Sequence, residues 1–387
     1  MTSAPLHRRT FLALSGALAA TAPAWARTAE SDKWARDFGA YVADNLALTQ
    51  TPGLSVAAVR GGRIVYSAGF SYADVETARP VTPDTIFQIA SVSKTVTATA
   101  LMLLAQDGAF RLDDPIAPHL DFAVVHPKFP GDPITFRHLF THTSGISDAV
   151  YNDLDFSGAP VPPLRDFLAA YLVPGGRWYD AAKCYGADKP GAAWSYSNVG
   201  AALLGYLAQR VAPDTLDAIT AKRLFAPLGL RNTAWRYEGV TDARLAQPYE
   251  FQAAHYRRLP RNAYPDWPAG LLCTSANDFA KFLSIYTQAD RGPLKPATIS
   301  QMFTPDPVPV NRANPSIRQG LIWELTQLEG STVALHLGGD PGAATIVAVD
   351  AANTTAALAF ANVTPHKAIL PFQKELIRRL LDRARTA

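Results

Sequence analysis

From Val92 to Leu104 a single charged residue, Lys94, stands among small and apolar side chains that fall on every side of a 3.6-residue repeat. A helix of that pattern has no face for water, so it reads as buried all round. Gly108 marks its end. Ser91 stands at its N-terminal end, where free backbone N–H groups and the helix dipole favour developing negative charge. Lys94 follows one turn later on the same face, close enough to touch it. Burial of an ammonium is costly and favours the neutral amine, which can take a proton from a neighbouring hydroxyl and make Ser91 a nucleophile. An isolated S-x-x-K is also compatible with a plain N-cap serine and a lysine that reaches out to water, so the pair needs company before it means chemistry.

The first 26 residues form a different kind of segment. Paired Arg8 and Arg9, a short apolar run from Phe11 and Ala24-Trp25-Ala26 have the form of an export signal, Met1 to Ala26. The run is too short to span a bilayer, and Arg8-Arg9-Thr10-Phe11-Leu12 resembles the twin-arginine type, which implies export after folding, to the periplasm of a bacterium. No second stretch reaches transmembrane length, so no stable membrane span is expected after cleavage. The chain carries 36 Lys and Arg against 33 Asp and Glu. That near balance, with no basic run, excludes an electrostatic nucleic-acid binder and leaves a small molecule as the expected partner. An oxidising compartment permits a disulfide between Cys184 and Cys273, although nothing in a chain of this size requires one.

Strand patterns occur only towards the two ends. Trp34 to Thr49 has the spacing of an amphipathic helix; Leu54–Arg60 and Ile64–Phe70 flank Gly61-Gly62 as a hairpin. Beyond Gln319, short apolar runs at Leu321–Leu328, Thr332–Leu337, Ala344–Asp350 and Thr355–Ala361 read as meandering antiparallel strands, closed by an amphipathic helix from Lys367 to Arg385. Between Gly108 and Gln319 the pattern is helices and proline-rich loops without a sustained strand, with helices at Asn198–Val211, Leu216–Phe225 and after Ser275. The expected architecture is therefore α+β: an antiparallel sheet region from 27–90 plus 320–387, flanked by terminal helices, with a mostly helical region, 91–319, inserted. A cleft between them would hold the site, and Ser91 lies where the chain crosses it.

Two further segments supply what a serine and a lysine lack. Tyr196-Ser197-Asn198 precedes a helix, and residues two apart in extended chain point the same way. A phenol beside a lysine can relay protons and an amide can hold a substrate carbonyl. In Leu335-His336-Leu337-Gly338-Gly339-Asp340-Pro341-Gly342 a strand meets a glycine pair, which lets a substrate lie close to the backbone, with an N–H completing an oxyanion hole. Asp340 reads as part of a turn, with the reception of a substrate ammonium as its alternative. His138 and His142 have helical spacing for a metal, but no H-E-x-x-H accompanies them and a structural role is expected. G-x-S-x-G, P-loop and Rossmann fingerprints are absent.

Ser91-Val-Ser-Lys94, Tyr196-Ser-Asn198 and His336-Leu-Gly338, in that order, resemble the three motifs of the serine β-lactamase and penicillin-binding-protein superfamily in its class C branch. Phe136–Ile146, Leu224–Leu230 and Gly270–Ser275 resemble further stretches common there. The resemblance implies an acyl-enzyme at Ser91, with Lys94 and Tyr196 sharing proton transfers and Asn198 on the acyl group. It implies an oxyanion hole from the N–H groups of Ser91 and Gly339, and neither cofactor nor metal. His336 and Gly338 would line the substrate site. The implied substrate is a small amide, ester or peptidoglycan-like molecule. The branch's β-lactamases have Lys-Thr-Gly where this chain has His336-Leu337-Gly338, so a fixed charge is replaced by a titratable imidazole. That ranks an esterase, D-amino-acid peptidase or D-Ala-D-Ala carboxypeptidase ahead of a true β-lactamase, with a non-turnover binder or sensor as the remaining reading.

Overall fold

The computed structural model describes residues 29–156, 160–288, 292–310 and 316–387. The export signal expected at Met1 to Ala26 lies outside them. Twelve strands are present among the described residues: β1 (Gly53–Arg60), β2 (Arg63–Asp74), β3 (Arg79–Pro80), β4 (Ile86–Gln88), β5 (Tyr249–Gln252), β6 (His255–Arg258), β7 (Cys273–Ser275), β8 (Arg318–Gln319), β9 (Glu324–Leu328), β10 (Ser331–Asp340), β11 (Ala343–Asp350) and β12 (Thr355–Ala361). Eight of them form one antiparallel sheet in the order β3-β2-β1-β12-β11-β10-β9-β8. The two halves meet where β1 pairs with β12, from Leu54 opposite Ala361 to Arg60 opposite Thr355. An α+β fold built on a large antiparallel sheet is thus what the chain adopts.

Period-2 alternation divides the central strands between two apolar layers. Val56 and Ala58 face the terminal helices, Ala29–Leu48 and Ile369–Thr386, through Phe38, Val42, Leu376 and Leu380. Ala57 and Val59 face the opposite way, into the layer holding Leu101, Phe279 and Leu283. Covered on both faces, β11 and β12 are buried at every position. Small side chains on β12, TAALAFA, let the layers approach.

Three expectations change in detail. A hairpin, β5–β6, and the short strands β7 and β8 lie inside the region read as having no sustained strand; the hairpin's turn is Ala253-Ala254, both at positive φ, so the glycine or asparagine that marks such turns is missing. The first strand after Gln319 begins at Glu324 rather than Leu321, because Ile322 sits at φ 70° and breaks the extended run. The helix from Leu216 runs on through a π turn, Ala221–Phe225, to Leu228 and ends on Gly229 at φ 65°. Cys184 and Cys273 are both buried free thiols, so the disulfide is not formed. No helix among the described residues is long and apolar enough to cross a membrane.

Candidate active site

Ser91 lies in a single 3₁₀ turn, Ala90–Val92, that leads into the helix Ser93–Gln106. Ala90 is held at φ 48°, a conformation costly for a residue with a Cβ. The surroundings over-determine it. Ser93 Oγ donates to Ala90 O at 2.6 Å and accepts from Leu272 N at 3.1 Å, while Thr345 Oγ1 donates to Ile89 O at 2.8 Å. Gly338 makes the approach of β10 possible: a Cβ there would stand 2.1 Å from Thr345 Oγ1 and 2.5 Å from Ile89 O. The turn bearing the serine is thereby clamped against the sheet.

Lys94 is buried, 1% exposed, and its Nζ has three partners: Ser91 Oγ at 3.0 Å, Asn198 Oδ1 at 2.8 Å and Ala269 O at 2.7 Å. An ammonium satisfies all three by donating. A neutral amine donates to the amide and the carbonyl, which only accept, and keeps its lone pair for the Ser91 O–H. Ala269 reaches this position because Gly205, in the helix Asn198–Val211, has no side chain to meet Pro268; a Cβ there would lie 2.3 Å from the proline ring. Thr97 Oγ1 fixes the same segment by donating to Pro268 O at 2.8 Å.

Asp148 holds the helix bearing Asn198. Its carboxylate accepts from Ser197 Oγ at 2.9 Å, Asn198 N at 2.6 Å and Val199 N at 3.2 Å, so it occupies amides left without partners at a helix start. Burial pushes its carboxyl above the usual range in spite of those bonds. Nothing in the sequence marked this residue, which lies fifty positions before Asn198. His142, at φ 54°, supports the loop before the helix: its carbonyl accepts from Ser195 N at 2.8 Å and its Nδ1 from Ser197 N at 3.3 Å. Its ring lies 4.5 Å from that of Tyr196. Burial first, then the Lys94 charge, holds its pKa well below the ordinary value. His138 caps a short helix at Thr135, so neither histidine is placed as a metal ligand. No group of three His, Cys, Asp or Glu among the described residues is arranged for a metal.

The Tyr196 ring flanks Lys94, whose Nζ is 5.1 Å from the ring centre. The structure therefore brings Ser91, Lys94 and Asn198 into direct hydrogen bonding and sets Tyr196 beside them as a ring contact. On β10, His336, Gly338 and Asp340 share the face turned to this group. His336 is buried, and its Nδ1 donates to Leu337 O at 2.7 Å, leaving the lone pair on Nε2. Burial and the Lys94 charge push its pKa down to about 3, so it is a neutral imidazole rather than the titrating group expected of it. Beyond Leu335, β10 has no partner on its outer side, since β9 pairs only with Ser331 to Leu335. Asp340 and Ala343 close a two-residue loop and form a bonded pair, so by antiparallel alternation the Gly339 N–H faces that open edge.

A sheet of this order with a serine–lysine pair at the mouth of the helical layer defines a β-lactamase/transpeptidase-like protein. A family model described as Beta-lactamase matches residues 38–381, and the chain belongs to that family. Protein flp of Staphylococcus aureus (strain MW2) is 26% identical over 238 residues, covering 60% of this chain and 45% of that protein. The chain thus spans less than half the length of the curated relatives it matches first. Among solved structures, the octameric penicillin-binding protein homologue from Pyrococcus abyssi superposes with a TM-score of 0.73 at 25% identity, over 85% of this chain and 73% of that one. EstCE1, a hydrolase with promiscuous acyltransferase activity, gives 0.71 at 21% identity over 91% and 98%, a likeness of fold.

Proposed function

We propose that the chain is a serine hydrolase that cleaves amide or ester bonds through an acyl-enzyme on Ser91. The observation that carries this reading is the Lys94 amine, 3.0 Å from Ser91 Oγ and held by two groups that can only accept. As Oγ attacks the substrate carbonyl, its proton passes to Nζ and the new oxyanion meets the N–H groups of Ser91 and Gly339. Lys94 and Tyr196 then return the proton to the leaving group as its bond to the carbonyl carbon breaks. Water attacks the ester, the acid departs and Ser91 regains its proton. Asn198 orients the acyl group while anchoring Lys94.

Neutral His336 supports an esterase or amino-acid amide hydrolase ahead of a β-lactamase, because no fixed cation stands at the third motif to grip a substrate carboxylate. The test is turnover and intact mass for the chain and its Ser91→Ala variant with a p-nitrophenyl short-chain ester, a D-alanyl amide and a chromogenic β-lactam. Ser91-dependent turnover of ester or amide with slow β-lactam hydrolysis is expected. Fast β-lactam turnover would reverse the ranking, a stable adduct without turnover would make the protein a sensor, and full activity in Ser91→Ala would remove the assignment.

A further inference from the structure

Asp340 does not shape the turn that follows it. Pro341 and Gly342, the latter at φ 76°, make the two-residue loop, and Asp340 is the last residue of β10, paired with Ala343. Its side chain leaves the turn for the cleft. One oxygen, Oδ2, accepts from Gln88 Nε2 at 3.1 Å, and Gln88 is itself fixed by Asn262 Nδ2, at 3.0 Å from its Oε1, and by the Tyr237 hydroxyl. The same oxygen lies 3.7 Å from the point a Cβ on Gly270 would occupy, an ordinary contact distance, so Gly270 flanks the carboxylate. Gly270 follows Ala269, the carbonyl that holds Lys94, and Gln88 precedes Ser91 by three residues. The carboxylate therefore sits next to the reacting groups and remains partly exposed to the cleft.

Burial pushes all three carboxyls of the cleft towards the protonated form, Asp266 to about 6 and Asp340 to about 7. Asp148, Asp266 and Asp340 surround Lys94, whose positive charge acts on all three, while His142 and His336 are neutral. The partners of these carboxylates are Ser197 and two amides, Tyr151 and Gln88, with no ion pair to an arginine or lysine among the described residues. Asp148 is consumed by the helix start and Asp266, 3% exposed, by the Tyr151 hydroxyl at 3.0 Å. Asp340 differs in being partly exposed to the cleft, with Gln88 on one oxygen and no hydrogen bond among the described residues to the other. A carboxyl so placed is drawn to its charged form by an incoming cation and stays neutral beside an incoming anion.

We propose that Asp340, braced by Gln88 across from Gly270, is an ammonium-binding subsite, and that the substrates of this site carry a free primary amine next to the reacting carbonyl. The inference rests on the hydrolase reading and names its substrate class: α-amino amides or esters rather than N-acylated or carboxylate-terminated peptides.

The test is isothermal titration of the full chain carrying Ser91→Ala with D- and L-alaninamide and with their N-acetyl counterparts, repeated in Ser91→Ala/Asp340→Asn. Better binding of one free-amine enantiomer over its acetylated form by about tenfold or more, the size of a charge-assisted hydrogen bond, is expected. The preference should fall towards unity in the Asp340→Asn background. The ratio is read within each protein, so a general loss of affinity does not imitate the result. Equal or tighter binding of the acetylated amides overturns the proposal on the Ser91→Ala chain alone, as does a preference that survives Asp340→Asn. Failure of ester or amide turnover in the unaltered chain would instead sink the hydrolase reading, and this titration does not depend on turnover.

Discussion

Replacing Asp148 by alanine tests whether the site depends on a residue that never meets substrate. Three hydrogen bonds to a carboxylate are lost, each contributing about 1.5–3 kcal/mol net. The sum overstates the effect, because removing the carboxylate also removes the cost of burying it, visible in its raised pKa. Ser197 Oγ keeps Gly200 N as a partner, and the half-buried Asn198 amide can find water. The buried Val199 amide cannot, at roughly 1–3 kcal/mol, and with about 1 kcal/mol for a weakened cap the net loss is ~3 kcal/mol. For a fold of this size, with unfolding entropy of about 2 cal/mol/K per residue, that lowers Tm by ~4 °C. Activity should suffer more. Asn198 Oδ1 is 2.8 Å from Lys94 Nζ, and a misplacement of about 1 Å at reacting groups costs on the order of 100-fold. Calorimetric melting and ester turnover, measured on one preparation beside Asp148→Asn, which keeps one acceptor oxygen, give both numbers. A variant that melts within about 1 °C of the parent with full turnover would refute the clamp, and a lowered Tm with unchanged turnover would refute its link to Lys94.

Two more consequences are open to measurement. Gly338→Ala drives a methyl group into Thr345 Oγ1 and Ile89 O, an overpacking cost of about 1–3 kcal/mol; because the displaced backbone carries Ser91, acylation should slow more than tenfold, and a variant with parental Tm and acylation rate would contradict the close approach. Burial pushes Asp266 up to about 6, against the Lys94 charge and the Tyr151 hydrogen bond and with Asp148 adding to it. The fold therefore favours the protonated acid, and this contribution is present below pH 4 and lost as pH rises through 6. Asp266→Asn should accordingly gain stability relative to the parent between pH 4 and 7, by up to ~3 kcal/mol, and a difference independent of pH in denaturant titrations would rule the shift out.

The outline of the fold was legible because periodicity is a local property. Asn198–Val211 runs between the limits its spacing set, and β12 matches Thr355–Ala361. The β5–β6 hairpin escaped because its turn uses two alanines at positive φ, a conformation imposed by the surroundings rather than by residue type. In the site, S-x-x-K was readable because one helical turn brings Ser91 and Lys94 together whatever else the chain does. Asp148, Ala269 and Gln88 were not, since each reaches the site from a distant segment: 50 residues separate Asp148 from Asn198 and 175 separate Ala269 from Lys94.

The amino-acid order alone determined where most helices and strands form and that Ser91 and Lys94 share one side of a helix, because these follow from periods of 3.6 and 2, while the run of β10 on to Asp340, which sets His336, Gly338 and Asp340 on one face, came with the structure. Only the tertiary structure decided the electrical state of that face. Whether His336 carries a charge, whether Asp340 serves a turn or a substrate, and whether Cys184 meets Cys273 depend on which groups from remote segments displace water around them. Desolvation and pairing are sums over neighbours in space, and neighbours in space are what a linear sequence does not state.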